Sequence, residues 1–168
     1  QNLDSYSIEY TFADGTKTLV TGRYTPNCQD DFGTYIHGTK CAAKFSGNVH
    51  APNGWISKDQ QLESSHLAWR PERETINPWQ AEWDVLLSAI RNDKPHNEAR
   101  RAGLSNLGAI MGRAAVHSGK LITWDEAMAS NFQFCPNVDA LTANSPAPVP
   151  ADAHGRYPAP IPGKTVEI

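Results

Sequence analysis

The chain has 168 residues, 39% hydrophobic and 20% charged, and its 15 basic and 18 acidic side chains give a formal net charge of -3. That length suits one domain. No stretch approaches the roughly 18 to 20 uninterrupted apolar residues of a membrane-spanning helix, and the basic residues are too dispersed for a nucleic-acid or anionic-membrane binder.

The chain opens on Gln1 without a methionine and runs directly into a strand-like pattern, so we expect a processed or truncated piece of a longer protein. Residues 6 to about 69 read as antiparallel β. Tyr6, Ile8, Tyr10 and Phe12 alternate with Ser7, Glu9 and Thr11, the period of a half-buried strand. Asp14-Gly15 supplies a positive-φ turn, and Thr16 to Tyr24 returns as the second strand of a hairpin. A second hairpin is expected from Thr34 to His37, a Gly38-Thr39 turn, and Cys41 to Phe45. Short strands around Trp55-Ile56 and Gln61-Leu62, separated by Lys58-Asp59, continue the meander into one sheet with a wet face or a partner-covered face.

Residues 77 to 130 switch to a helical period. Asn77 can accept from the free amides of a first turn, Pro78 suits the first helical position, and Gln80 completes a box-like start. Trp83, Leu86, Leu87 and Ile90 then form an apolar stripe that must be covered, and Lys94-Pro95 ends the helix. Asn97 caps a second helix through Ser118, with Leu104, Leu107, Met111 and Ala114 on one face and Gly119 just beyond its end. Inside it Gly103, Gly108 and Gly112 each cost about 1 kcal/mol of helix propensity relative to alanine, which points to close approach of a strand or of the first helix. Thr123 to Glu126 is a capping box opening a third helix to about Ser130. From residue 136 to 168 the chain holds seven of its twelve prolines. That tail can be neither helix nor central strand, and is expected to be extended and either mobile or wrapped over the body.

Chemistry-bearing patterns are sparse. No GxGxxG follows a strand, the Gly-Lys pairs lack Walker spacing, and there is no GxSxG elbow. Cys28, Cys41 and Cys135 make an odd count without CxxC spacing, which argues against a disulfide framework and leans slightly to a reducing, cytoplasmic setting, with an exported or periplasmic one as the alternative. The six histidines include no HExxH. Cys28, His37 and Cys41 are weighed as a zinc set against ordinary surface or core roles, and no metal is assigned. Glu72 and Glu74 around Arg73 read as a solvated charged turn, and Asp125-Glu126 as favourable charge in a first helical turn. The aromatics around residue 80 say more. Trp69, Trp79 and Trp83 cluster at the sheet-to-helix junction, with Gln80 and Glu82 in the same turn. Indole faces beside amide and acid groups suit the C–H faces and hydroxyls of a sugar, so Trp79, Gln80 and Glu82 are the candidate substrate-binding residues. Trp83 competes for a core role and Trp79 for that of a hydrophobic staple.

The run from Trp79 to Ala102, then Ala109-Ile-Met-Gly-Arg-Ala-Ala115 and Ser118-Gly-Lys-Leu-Ile-Thr-Trp-Asp-Glu126, resembles the C-terminal part of the Gfo/Idh/MocA oxidoreductases, the glucose-fructose oxidoreductase and inositol dehydrogenase family. Upstream, Ile8-Glu9-Tyr10, Asp14-Gly15, Arg23 and Gly38-Thr39-Lys40 occur in matching order, and Ile161-Pro162-Gly163 fits the ending. The resemblance covers nearly all of the chain. It implies an α+β domain with a mostly antiparallel sheet and helices packed on one face, like the C-terminal domains of dihydrodipicolinate and glyceraldehyde-3-phosphate dehydrogenases. The Rossmann half, supplied upstream or by a separate chain, is absent from this sequence. Residues 1–135 would be the substrate and oligomerisation domain, and 136–168 its Pro-rich tail.

The family's Glu-Lys-Pro and Asp-x-x-x-His motifs do not occur here. Lys94-Pro95 follows Asp93, and no Asp has a His four positions later. No catalytic or cofactor residue therefore carries over. Gln80 and Glu82 match the family's helix-start motif, whereas Trp79 and Trp83 stand where Tyr or Pro and His are common. The implied function is the C-terminal domain of an NAD(P)-dependent sugar or polyol oxidoreductase. NAD or NADP would serve the full enzyme and is not expected to bind this chain alone. A sugar-like small molecule, and a homodimer or homotetramer formed through the sheet face, complete the expectation. The alternative is a stand-alone, non-catalytic carbohydrate-binding or interaction module.

Overall fold

A computed structural model of the chain describes residues 3 to 45, 54 to 72 and 77 to 168. Among these residues the protein is α+β, with two antiparallel sheets of two and four strands and three α-helices. The chain gathers into two compact units, Gln1–Pro26 with Asn97–Ile168, and Asn27–His96. No described helix is long and apolar enough to cross a membrane.

In the first unit, β1 (Ser5–Thr11) pairs with β2 (Lys17–Arg23) in the register Ile8 to Val20. The turn sits where Asp14-Gly15 places it. Gly15 takes φ 84°, and the Asp14 carboxylate accepts from Thr16 N at 2.9 Å. The alternation holds at the centre of β1, where Ile8 and Tyr10 are half-buried and Ser7, Glu9 and Thr11 exposed, but not at its ends, where Tyr6 and, just past the strand, Phe12 are exposed as well.

Helix α2 (Ala99–Ser118) packs against β1. The Tyr10 hydroxyl donates to the Gly108 carbonyl at 2.9 Å, and burial pushes its phenol above the ordinary value. A Cβ on Gly112 would overlap that hydroxyl and stand 3.1 Å from Ile8 Cδ1, so the hydrogen at this position is what admits the strand. The expected close approach is thus made by Tyr10 and Ile8 at Gly112. A Cβ on Gly103 or Gly108 would meet nothing within 4 Å. The predicted face follows the packing, with Leu104, Leu107 and Met111 half-buried and Ala114 buried.

At the start of α2, Asn97 Oδ1 accepts from Ala99 N at 2.9 Å, but the cap position itself falls one residue later, on Glu98, whose side chain makes no capping bond. Gly119 closes the other end in the left-handed region, φ 69°, its N–H donating to Ala115 O at 2.8 Å. Helix α3 (Trp124–Ala129) opens on a complete capping box. Glu126 N donates to Thr123 Oγ1 at 3.2 Å, and Thr123 N to Glu126 Oε2 at 2.8 Å.

Beyond α3 the chain has only a short 3-10 turn, Val138–Ala140. Its last residues return to α2. Gly163 N donates to the Ser118 carbonyl at 2.6 Å, an acceptor that the helix end leaves without an intrahelical partner. Of the two expectations for the tail, these residues follow the wrapped one.

In the second unit, β3 (Thr34–His37), β4 (Ala42–Phe45), β5 (Gly54–Ser57) and β6 (Leu67–Trp69) form an antiparallel meander in chain order. Two expectations change. The strands fall into two sheets rather than one, and the strand expected at Gln61-Leu62 lies instead at Leu67–Trp69. The backbone of Gln61 is taken up by a loop, since its N–H donates to Asp59 Oδ1 at 2.8 Å and its carbonyl accepts from Ser57 Oγ. Helix α1 (Pro78–Arg91) follows. The expected stripe is present but open, with Trp83, Leu87 and Ile90 exposed by 60%, 38% and 66%. Among the described residues, the helix that packs on a strand is α2, against β1.

Candidate functional site

The residues chosen from sequence sit on the first turn of α1. Asn77 Oδ1 accepts from Trp79 N at 2.9 Å and Pro78 occupies the first turn, so the helix starts where the pattern put it. Gln80 does not complete a box with Asn77. Its Nε2 donates forward to Asp84 Oδ1 at 2.9 Å, an i to i+4 pair along the helix surface. Trp79, Gln80 and Glu82 are all exposed. Trp79 and Trp83, four apart, share one face of the helix. Gln80 and Glu82, two apart, do not face each other, so the turn does not converge all its polar groups on one point.

Other sequence-level candidates dissolve into local structure. His37 Nδ1 lies 2.9 Å from Gln60 Oε1, and Gln60 Nε2 in turn donates to the Gly38 carbonyl at 2.9 Å, so His37 belongs to a loop brace. Cys28 is exposed, Cys41 half-buried, and both are free thiols. Among the described residues no three His, Cys, Asp or Glu side chains gather closely enough for a metal ion. Arg73 and Glu74 lie outside the described residues. Asp59 and His66 pair at 2.7 Å beside Ser57, but Ser57 Oγ donates to the Gln61 and His66 carbonyls rather than to an imidazole nitrogen. That arrangement braces a turn and does not activate a nucleophile. The Gln61 backbone N–H first, and then His66, hold the Asp59 carboxyl below the usual carboxylate range.

A more enclosed arrangement lies in the first unit and was not found from sequence. A cavity of about 440 Å³ opens between the start of the β1–β2 hairpin and the second half of α2. Asp4, Tyr6, Ile8 and Tyr24 line the hairpin side, and Arg113, Val116 and His117 the helix side. Tyr6 faces Gly22 across the ladder, and a Cβ on Gly22 would overlap its ring. Glycine there lets the phenol lie flat on the sheet as a wall.

The His117 side chain is only 7% exposed, and its Nδ1 lies 2.9 Å from Oε1 of Glu167, itself 10% exposed. A carboxylate only accepts, so Nδ1 carries the proton and the ring is fixed in one orientation. Glu167 also accepts from Arg113 Nη2 at 3.3 Å, and the Arg113 guanidinium stacks 4.4 Å from the centroid of Phe134. Nε2 of His117 has no partner among the described residues. The signal missed in the sequence was a pairing across fifty positions, for which no local spacing exists.

No protein-family model, curated protein or solved structure matches the chain.

Proposed function

We propose that the chain is the C-terminal substrate and assembly domain of an NAD(P)-dependent sugar or polyol oxidoreductase of the Gfo/Idh/MocA type. Its finer fold would be that of the dihydrodipicolinate and glyceraldehyde-3-phosphate dehydrogenase C-terminal domains. The ordered resemblance from Trp79 to Glu126 suggests the family. The structural observation that carries the reading is the open apolar face of α1, because a stripe holding Trp83, Leu87 and Ile90 is stable in water only when another surface covers it. A domain built to assemble has such a face.

In this reading the full enzyme moves a hydride between a carbohydrate alcohol carbon and the nicotinamide, and the alcohol proton passes to a base outside this chain. The family's Glu-Lys-Pro and Asp-x-x-x-His motifs do not occur in this sequence, so no step of the transfer is assigned to its residues. They would shape the substrate cleft, with Trp79, Gln80 and Glu82 at its edge, and build a homodimer or homotetramer.

Two measurements test this. Mixed with a Rossmann partner, the chain should quench NADH fluorescence and support sugar-dependent reduction of NAD or NADP. The chain alone should bind neither dinucleotide, and tight binding by it alone would overturn the proposal. Light scattering should return a dimer or tetramer, and a clean monomer at micromolar concentration would remove the assembly role.

A further inference from the structure

The cavity beside His117 has the size and lining of a ligand site. Small-molecule sites run from about 300 to 1,000 Å³ and combine apolar walls with a few placed polar groups, and this one holds about 440 Å³. Its charges are mixed. Arg113 is offset by Glu167, which also holds His117, and Asp4 stands on the opposite wall. An anion would meet Asp4, and a cation would meet Arg113. A neutral ligand with several hydroxyls meets neither penalty, because every hydroxyl can both donate and accept.

We propose that this cavity binds a neutral polyhydroxylated molecule of monosaccharide size. The Tyr6 ring packs against its C–H face, Tyr24 closes the rim, and His117 Nε2 accepts from a hydroxyl. The tail makes the site, because Glu167 fixes the His117 ring so that Nδ1 donates to the carboxylate and Nε2 is left as the acceptor. Asp4 accepts and Arg113 donates at the two sides. This goes beyond the oxidoreductase reading, since it assigns a ligand to this chain alone and uses none of the residues at the start of α1.

The test is an NMR titration of the full chain, without dinucleotide, using D-glucose, myo-inositol, inorganic phosphate and acetate as probes. A saturable shift of the His117 ring and Tyr6 signals with glucose or inositol, and none with phosphate or acetate, is expected. Tyr24 is 84% exposed, so Tyr24→Ser should fold normally and weaken binding about five- to tenfold, the worth of one aromatic contact. Glu167→Gln should weaken it too. The proposal is overturned if neither polyol shifts these signals at tens of millimolar, if an anion binds instead, or if Tyr24→Ser binds as the parent does. Because no dinucleotide is present, each of those outcomes leaves the oxidoreductase reading standing.

Discussion

Helices α1 and α2 make opposite use of their residues. Helix α1 has the cleaner apolar stripe, yet none of its residues is buried. Helix α2 is interrupted by three glycines, and it buries Gly112, Ala114, His117 and Ser118. A stripe of large side chains states only that cover is needed. Small residues decide where cover can come close, because packing energy falls away with each fraction of an ångström of separation. Gly112 brings the helix backbone to Tyr10, and Gly119, whose Cβ would stand 3.2 Å from Pro162, admits the returning tail.

The sharpest way to break this contrast is Gly112→Val. It should destabilise the protein by about 2 to 3 kcal/mol through overpacking, against Tyr10 and Ile8, as read by chemical denaturation. A next, smaller effect concerns how the helices begin. Thr123→Ala should cost about 1 kcal/mol of helix stability through loss of the cap. The box also predicts a pH dependence, because the Thr123 backbone N–H and then its hydroxyl hold the Glu126 carboxyl below the usual range. A carboxyl depressed in the fold stabilises above its unfolded pKa, and that contribution is lost as pH falls through the folded value. Acidification below the ordinary carboxylate range should therefore lower the protection of the Ala127 amide relative to its intrinsic exchange rate at the same pH, and Glu126→Gln should flatten that response.

Gly103→Ala reverses the sign of Gly112→Val on the same helix. With nothing within 4 Å of its new Cβ, it should stabilise by about 0.5 to 1 kcal/mol. Smallest of all, Trp83→Ser on α1 should change the stability of the isolated chain by no more than about 0.5 kcal/mol. The same substitution should lower the oligomeric state seen by light scattering. A large loss of monomer stability from it would show that the stripe is internal core after all.

Much of the local structure was legible in the residues. The alternation from Ser7 to Thr11, the Asp14-Gly15 turn, the Thr123 box and the Gly119 terminus each rest on groups no more than four positions apart, so their geometry follows from the backbone alone. The strand at Leu67–Trp69 was displaced from its expected place because Asp59 and Ser57 captured the polar groups of Gln61. Of the candidate site, the helix start at Asn77 was read correctly, but Gln80 found Asp84 instead of the cap. The cavity was not legible, since Asp4, Tyr24, His117 and Glu167 come from segments with no shared period.

The residues alone settled where the first hairpin turns, where the three helices lie to within a residue or two, and which face of α1 is apolar. Only the tertiary structure decided that the strands divide into two sheets, that α2 rather than α1 is the packed helix, and that Glu167 reaches His117. The reason is range. Caps, turns and periodicity are satisfied within a few bonds of the residue concerned. Solvent exclusion and the pairing of a buried imidazole depend instead on which distant groups can approach, and that is set by the room left at positions such as Gly22 and Gly112.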